Sequence, residues 1–239
     1  MLREGAAPRL DLAHGAHALA ACGRGGVHQA QWAPAFAATV ADYDGDGTED
    51  LFLGQNFSPT VVGIPRYDAG RGLLLRGDGR GGLAPLAPAQ SGIEVLGDQR
   101  GVAHADPDGD GRLDLVVSQN GAETRFFRNV AATPGVRVRV DAGPGNLTGV
   151  GTQLRLVYGQ GDGARMGPVR EVQAGSGSLS QHGAVTVLGA AEPPSALWVR
   201  WPGGREARVP LAPGQREVVV RRFVVAGATA APTPASASR

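Results

Sequence analysis

The sequence contains no lysine and one cysteine, and both shortages limit what the protein can be. All 23 basic side chains are arginines, the formal net charge is +1, and no basic cluster stands out. These features argue against a protein that binds nucleic acid through a basic surface. Because Cys22 is alone, the chain can form neither an internal disulfide bond nor a thiolate cluster for zinc. Its stability must come from packing or from a hard metal ion.

Long apolar segments are also absent. No apolar run approaches the ~20 residues that cross a membrane, so we expect no membrane insertion. Residues 1–23 contain no clear signal-peptide core. Either the chain is cytosolic, or its export signal lies upstream of this sequence or has been removed.

Two acidic segments of the chain are copies of each other. "ADYDGDGTEDLFLGQN" begins at residue 41 and "ADPDGDGRLDLVVSQN" begins at residue 105, an offset of 64 residues. Ten of the 16 aligned positions are identical. Such self-similarity at a fixed spacing predicts an internal structural repeat.

The residues around both copies have the composition of β-strands. Each acidic segment lies between two short β-rich runs, "AFAATVA" and "DLFLGQN" in the first copy and "RGVAHA" and "DLVVSQN" in the second. The apolar stretches between the copies are closed by Gly and Asp turns. No stretch has a sustained helical period with caps. We therefore predict an all-β fold with several short strands in each unit of about 60 residues.

The chain changes character near residue 133. From 134 to 225 there is no acidic repeat, and runs such as "GVRVRVDA", "TQLRLVYG" and "ALWVRW" alternate apolar and polar residues, as in a half-exposed antiparallel sheet. We predict two repeats over 31–133, a β domain over 134–225, and a disordered small-residue tail over 226–239. Residues 1–30 are expected to be an extension or the remnant of a preceding unit.

The acidic repeats have the spacing of a cation-binding loop. Four carboxylates stand at positions 1, 3, 5 and 9 of each loop, with glycines at positions 4 and 6 that permit positive φ angles. The first loop carries Asp42, Asp44, Asp46 and Asp50, and the second carries Asp106, Asp108, Asp110 and Asp114. Alternate carboxylates in a tight loop converge and repel each other, so each loop calls for a cation.

Calcium is the cation that this pattern favours, which gives two predicted calcium sites. Calcium accepts six to eight oxygen ligands, and the main-chain carbonyl of Thr48 or Arg112 at position 7 can join the carboxylates. An EF-hand is excluded because its bidentate Glu at position 12 is replaced by Leu53 or Val117. The alternative is an acidic turn that is simply solvated, but duplication of all four carboxylates argues against it.

The motif DxDGDGxxD between strands, repeated at this period, resembles the FG-GAP/VCBS repeats of integrin-α-like β-propellers. The region with "GNLTGVGTQLRLVYG", "REVQAGSGSLSQ" and "VRWPGG" resembles the ASPIC/UnbV domain of cartilage acidic protein-like and bacterial secreted proteins. The resemblance implies propeller blades followed by a C-terminal antiparallel β domain. Because propellers close with about four to eight blades, two visible repeats imply a part of a larger propeller or further degenerate blades.

Two functional hypotheses follow. The first is a non-enzymatic, calcium-binding recognition or adhesion module in an extracellular or periplasmic location, whose partner is an unknown protein or a surface carbohydrate. The second is a polysaccharide-active enzyme or its carbohydrate-binding accessory domain. Glu94, Glu123 and Glu171 are available for acid catalysis, but no spacing singles out a pair, and we assign no catalytic or cofactor-binding residue. The RGD at 76–78 is interpreted as a turn.

Overall fold

The computed structural model describes residues 9–10, 33–57, 63, 68–177 and 179–222. Within them the protein is all-β, as predicted, with several antiparallel sheets. The exceptions are one short helix, α1 (Pro88–Ser91), and a 3₁₀ turn (Gly161–Gly163). Neither is long and apolar enough to cross a membrane. The predictions for Cys22 and for the tail over 226–239 lie outside the described residues.

The first acidic repeat forms a four-stranded antiparallel sheet. Its strands follow the chain in the order β2 (Ala35–Ala41), β3 (Asp50–Gln55), β4 (Leu73–Gly77) and β5 (Leu83–Leu86). The two-residue period of a strand puts Thr39 and Ala41 inside while their neighbours face outward. The first acidic loop joins β2 to β3.

The second acidic repeat forms a sheet of the same plan. Three antiparallel strands follow one another, β6 (Asp98–Ala105), β7 (Asp114–Asn120) and β8 (Ala122–Asn129), and β1 (Arg9–Leu10) pairs parallel to β8. The second acidic loop joins β6 to β7, the position that the first loop has between β2 and β3. In the described part of the chain these sheets do not close into a ring.

Residues 92–97, in the apolar stretches between the two acidic copies, form a loop and not a strand. Gly92 adopts a left-handed conformation (φ 70°) and ends α1. Ile93 and Val95 then enter the core, and the Val95 N–H donates to the Arg71 carbonyl at 2.7 Å. The apolar pattern therefore correctly indicated burial but not an extended strand. The Val95 N–H bonds to the segment before β4 and not to a neighbouring strand.

The C-terminal region consists of two sheets that enclose a second core. One sheet has the order β13 (Val185–Leu188), β9 (Val136–Asp141) and β16 (Glu217–Arg221), with β16 parallel to β9. The other contains β10 to β12, β14 and β15. Their bounds are β10 (Gln153–Tyr158), β11 (Arg165–Met166), β12 (Arg170–Glu171), β14 (Ala196–Arg200) and β15 (Glu206–Pro210). The alternating apolar residues of both sheets form one buried cluster.

The two regions of the chain are in direct contact. The core between the first two sheets is built from residues such as Phe52, Leu115 and Phe127, and it also includes Val187 of β13. The C-terminal sheets therefore complete the burial of the core that the acidic repeats begin. This contact places both acidic loops beside the C-terminal region.

Candidate metal centres

The first acidic loop brings three of its four predicted carboxylates together. Asp42, Asp44 and Asp50 each offer an oxygen within 4.8 Å of the others. Gly45 and Gly47 have φ angles of 76° and 85°, so the two glycines take the positive φ values that the curled loop requires. The loop therefore has the convergent shape that the spacing predicted.

Backbone amides fix the orientation of these carboxylates. Asp42 Oδ1 accepts from the Gly45 N–H at 2.7 Å, and its Oδ2 accepts from the Gly47 N–H at 2.7 Å. Asp50 Oδ2 accepts from the Tyr43 N–H at 2.9 Å, and its Oδ1 accepts from the Gly77 N–H of β4 at 2.9 Å. The ninth position thus ties the loop to the third strand of its sheet.

The electrostatics of the first loop favour a bound cation. Burial, together with the charges of neighbouring carboxylates, raises the pKa of Asp42 to about 7 and that of Asp50 to about 7. Burial, followed by the charge of Asp46, also raises the pKa of Asp44. Ionising all of these groups at neutral pH therefore costs free energy that a cation would recover.

Arg76 supplies part of the compensating charge. Its Nε lies 2.6 Å from Asp44 Oδ2, and its Nη2 lies 3.2 Å from Asp46 Oδ2. Asp46 is not one of the three convergent carboxylates; its Oδ1 accepts from the Thr48 N–H at 2.8 Å and its Oδ2 faces Arg76. The ligand role predicted for the Thr48 carbonyl stays a prediction.

The second acidic loop repeats this arrangement with a different set of three. Asp106, Asp108 and Asp110 offer oxygens within 4.8 Å of one another. Asp106 accepts from the Asp110 N–H at 3.1 Å and from the Gly111 N–H at 3.0 Å. The Arg112 N–H donates to Asp110 Oδ1 at 2.9 Å, as Thr48 does to Asp46 in the first loop. The ligand role predicted for the Arg112 carbonyl stays a prediction.

Asp114 stands beside this group with one unused oxygen. It is only 2% exposed, and its Oδ1 accepts from the Asn129 N–H of β8 at 2.7 Å. Its Oδ2 is buried and has no hydrogen-bond partner among the described residues. Burial, together with the charges of Asp108 and Asp110, raises the pKa of Asp114 to about 6. A buried carboxylate oxygen without a hydrogen-bond partner, beside three others, suits the coordination of a cation.

Three arginine side chains form ion pairs with the carboxylates of the second loop. Arg137 Nε of β9 lies 2.7 Å from Asp106 Oδ2, and Arg112 Nη1 lies 3.0 Å from Asp110 Oδ2. Arg128 pairs with Asp108. The sequence pattern pointed to Arg112 only for its main-chain carbonyl, and it pointed to neither Arg128 nor Arg137. No local signal places Arg137 beside Asp106, 31 residues away, because the contact arises when the C-terminal sheets dock.

Both loops are packed against the segments that lead into or belong to the C-terminal region. The Thr133 N–H donates to the Asp44 carbonyl at 3.0 Å, and the Gly135 N–H donates to the Gly111 carbonyl at 2.8 Å. A Cβ added to Gly189 would overlap Asp42 Oδ2. Two candidate metal centres therefore lie along the contact between the acidic repeats and residues 133–135 and 189, which we call the seam.

The donor atoms of the two clusters indicate the kind of ion that each could hold. Each group of three consists only of carboxylate oxygens, which suit hard cations such as calcium and magnesium and not zinc with its preference for nitrogen and sulfur. The buried Asp114 oxygen and the raised pKa values of four carboxyl groups agree with this chemistry. Both acidic clusters could therefore hold a metal ion.

The other candidate residues do not come together. Glu94 pairs with Arg71 at 2.5 Å, Glu171 accepts from Gln153 at 3.3 Å, and Glu123 lies on the exposed strand β8. In the RGD segment, Arg76 turns toward the acidic loop, and Asp78 accepts from the N–H groups of the turn that follows it. The segment is thus part of a hairpin turn.

No protein-family model matches this sequence, and no curated protein matches it either. The family resemblance consequently depends on the motifs quoted above.

Proposed function

We propose that the protein is a non-enzymatic recognition module in which calcium ions bind the two acidic loops. The observation that carries this proposal is the convergence of three carboxylates within 4.8 Å at the same place in both repeats. Each loop lies between the first two antiparallel strands of its repeat and brings three carboxylates together, which is difficult to explain by surface solvation alone. A dication would supply the positive charge that each cluster needs.

Calcium is preferred over magnesium because of the number and kind of ligands. Asp42, Asp44 and Asp50 would hold the ion in the first loop, and Asp106, Asp108 and Asp110 in the second, where Asp114 Oδ2 is also available. Calcium tolerates many carboxylates and flexible angles, whereas magnesium demands a near-ideal octahedron and keeps much of its water. Extracellular calcium modules bind at about 10⁻⁴ to 10⁻³ M, which suits the extracellular or periplasmic location we propose.

The arginines reduce the negative charge that calcium has to compensate. Arg76 in the first loop and Arg112, Arg128 and Arg137 around the second already offset part of the negative charge. We therefore expect a folded protein without calcium and a more stable one with it. The ion would hold the loops and the seam in a fixed arrangement for binding.

The recognition role rests on the resemblance to FG-GAP/VCBS repeats followed by an ASPIC/UnbV domain. It implies a part of a larger β-propeller and a partner that is a protein or a surface carbohydrate. The alternative, a polysaccharide-active enzyme or its carbohydrate-binding accessory domain, would need paired acids outside the metal loops. Glu94, Glu123 and Glu171 lie in different elements, so no observation favours that alternative.

The test is a thermal melt of the full chain in excess calcium, in EGTA, and in magnesium after EGTA. A ligand at 100 times its dissociation constant stabilises the folded state by about 2.7 kcal/mol. For a chain of this size we expect a rise in Tm of roughly 5–10 °C with calcium and a smaller one with magnesium.

Matched variants assign the effect to the loops. Asp44→Asn combined with Asp108→Asn keeps the shape of both side chains but removes a charge from each group, so the calcium shift should disappear. Asp162→Asn, in the exposed 3₁₀ turn, is the control and should keep the full shift. No calcium shift in the wild type, or the same shift in the double variant, would refute the calcium proposal.

A further inference from the structure

The edge of strand β6 is covered by a segment of the same chain. Ser180 Oγ accepts from the Val102 N–H at 2.9 Å, and His182 Nδ1 accepts from the His104 N–H at 3.3 Å. The His104 carbonyl in turn accepts from the Gly183 N–H at 2.9 Å. The segment from Ser180 to Gly183 therefore satisfies three of the backbone groups that β6 turns away from β7.

The equivalent edge of β2 is open in the part of the chain that the structure describes. With the repeat offset of 64 residues, Ala38 and Val40 correspond to Val102 and His104. The Val40 carbonyl accepts from Arg170 Nη1 at 2.6 Å, which shows that this residue turns its polar groups away from β3. The N–H and C=O of one strand residue point to the same side, and the pattern repeats every second residue.

The remaining outward groups are the N–H of Val40 and the N–H and C=O of Ala38. Among the described residues no partner contacts them, and both residues are exposed, Val40 by 47%. In β6 the N–H groups of the same two positions, Val102 and His104, are paired. An unpaired, exposed edge is a template for another extended chain.

This edge opens into a cleft of about 460 Å³ between β2 and the C-terminal region. Ala38, Val40 and Val169 give the cleft an exposed apolar strip, and Val169 is 52% exposed. The charged groups in the cleft are already engaged, since Arg170 binds Val40 and pairs with Glu49, and Glu171 accepts from Gln153. The cleft thus offers backbone hydrogen bonds and apolar contact without a free charge.

We propose that the open edge of β2 binds an extended segment of a partner polypeptide, which adds beside β2 within this cleft. The segment would accept hydrogen bonds from the N–H groups of Ala38 and Val40 and donate one to the Ala38 carbonyl. Strand addition of this kind takes affinity from the main chain and specificity from alternate side chains. The proposal deepens the recognition function above and rests on it for the existence of a partner.

The covered edge of β6 indicates the chemistry of the partner segment. There the acceptors come from residues two apart, Ser180 and His182, and a glycine follows. The partner should therefore present acceptors at alternate residues and small or apolar side chains toward Val40 and Val169. A charged segment would not find a free counter-charge in this cleft.

The first test is amide hydrogen exchange of the free full chain. We expect the Ala38 and Val40 amides to exchange at least tenfold faster than the Val102 and His104 amides. Equal protection of the two edges would mean that the chain covers β2 itself, and it would overturn the proposal.

The second test measures binding of a fluorescein-labelled nonapeptide with the sequence of residues 176–184, alongside a displayed library of random nonapeptides. Binding should slow exchange at Ala38 and Val40. Ala38→Pro removes one outward N–H at an edge position where proline is tolerated, and it should weaken binding at least tenfold. Ala38→Ser keeps the N–H and serves as the matched control.

Three further arms make the result decisive. A copy of the bound peptide N-methylated at every second residue should bind the wild-type chain at least tenfold more weakly, which needs no folded variant. If neither the copy peptide nor any library member binds through β2, the proposal is wrong. If the chain forms dimers that Ala38→Pro dissociates, the occupant is a second copy and the assignment to another partner is wrong.

Repeating the binding assay in EGTA separates this proposal from the proposed function. If binding persists in EGTA and the chain shows no calcium shift, the proposal for the β2 edge is supported and the calcium proposal is refuted. If the chain shows a calcium shift but no β2-dependent binding, the calcium proposal is supported and the proposal for the β2 edge is refuted.

Discussion

At the scale of single residues, Gly189 decides how closely the first acidic loop can approach the C-terminal region. Its α-carbon lies against the Asp42 carboxylate, so that a methyl group there would overlap Oδ2. The φ angle of Gly189 is not in the left-handed region, so the reason for glycine is space. This is the residue at which the packing of the seam can be tested most directly.

Gly189→Ala should therefore destabilise the protein. Overpacking a close contact costs about 1–3 kcal/mol, and we expect about 2 kcal/mol from urea unfolding in EGTA. Gly175→Ala is the control, because a Cβ at that exposed glycine meets no atom within 4 Å. An effect of Gly189→Ala as small as that of the control would show that Asp42 can move away freely.

The carboxylates of the site could be predicted from the sequence, but the arginines around them could not. Asp42 and Asp44 can be identified from the sequence by their fixed spacing in a duplicated loop. Arg76 and Arg137 reach the clusters from other strands, and only the folded chain brings them close. The spacing also could not show that Asp46 faces Arg76 while Asp50 joins the convergent group.

At the scale of elements, the first acidic loop couples protonation to folding. The pKa values of Asp42 and Asp50 are raised to about 7, against 3.8 in the unfolded chain. The folded metal-free state therefore binds more protons than the unfolded state in this range. The stabilisation is complete below about pH 4 and is lost as the pH rises through 7.

The metal-free chain should thus be more stable at pH 6.5 than at pH 8. Burial lowers the pKa of His104 to about 3 and that of His182 to about 4, and these groups oppose the effect only below about pH 6.5. Urea unfolding in EGTA at the two pH values tests the prediction. Calcium competes with these protons, so its apparent affinity should fall as the pH is lowered from 8 to 6.5. A stability that rises with pH in EGTA would contradict the raised pKa values.

The strands themselves were well indicated by the sequence. The run "AFAATVA" is strand β2, and "DLFLGQN" and "DLVVSQN" begin β3 and β7. The hairpin strand β15 was not anticipated, because its alternation in "EARVP" is only four residues long and its residues are mostly exposed. A short strand that buries little gives a weak periodic signal.

At the scale of the whole molecule, Arg137 joins the second acidic loop to the C-terminal sheets. The side chain of Asp106 is fully buried, and Arg137, which is 16% exposed, also lies 3.3 Å from Glu217. Breaking a buried ion pair from one side leaves the other charge uncompensated. The seam is therefore stabilised at a position where a bound cation and an arginine would compete for the same carboxylate.

Arg137→Met should lower the stability of the metal-free protein by about 3 kcal/mol and increase the calcium-dependent rise in Tm. Asp106 then depends on the metal for its counter-charge. Calorimetry in EGTA and in calcium measures both effects. Arg139→Met, an exposed residue of the same strand, should change stability by about 0.5 kcal/mol or less. An unchanged calcium shift in Arg137→Met would show that no ion reaches Asp106.

The parallel pairing of β16 with β9 also has a consequence for the speed of folding. Val218 pairs with Val138, so this contact closes a loop of 80 residues (218 − 138). Contacts between residues so far apart in sequence are slow to form, because the chain loses entropy before the contact compensates it. During synthesis β9 leaves the ribosome long before its partner exists. One edge of β9 therefore stays uncovered until nearly the whole domain has emerged, and a chaperone would find its target there.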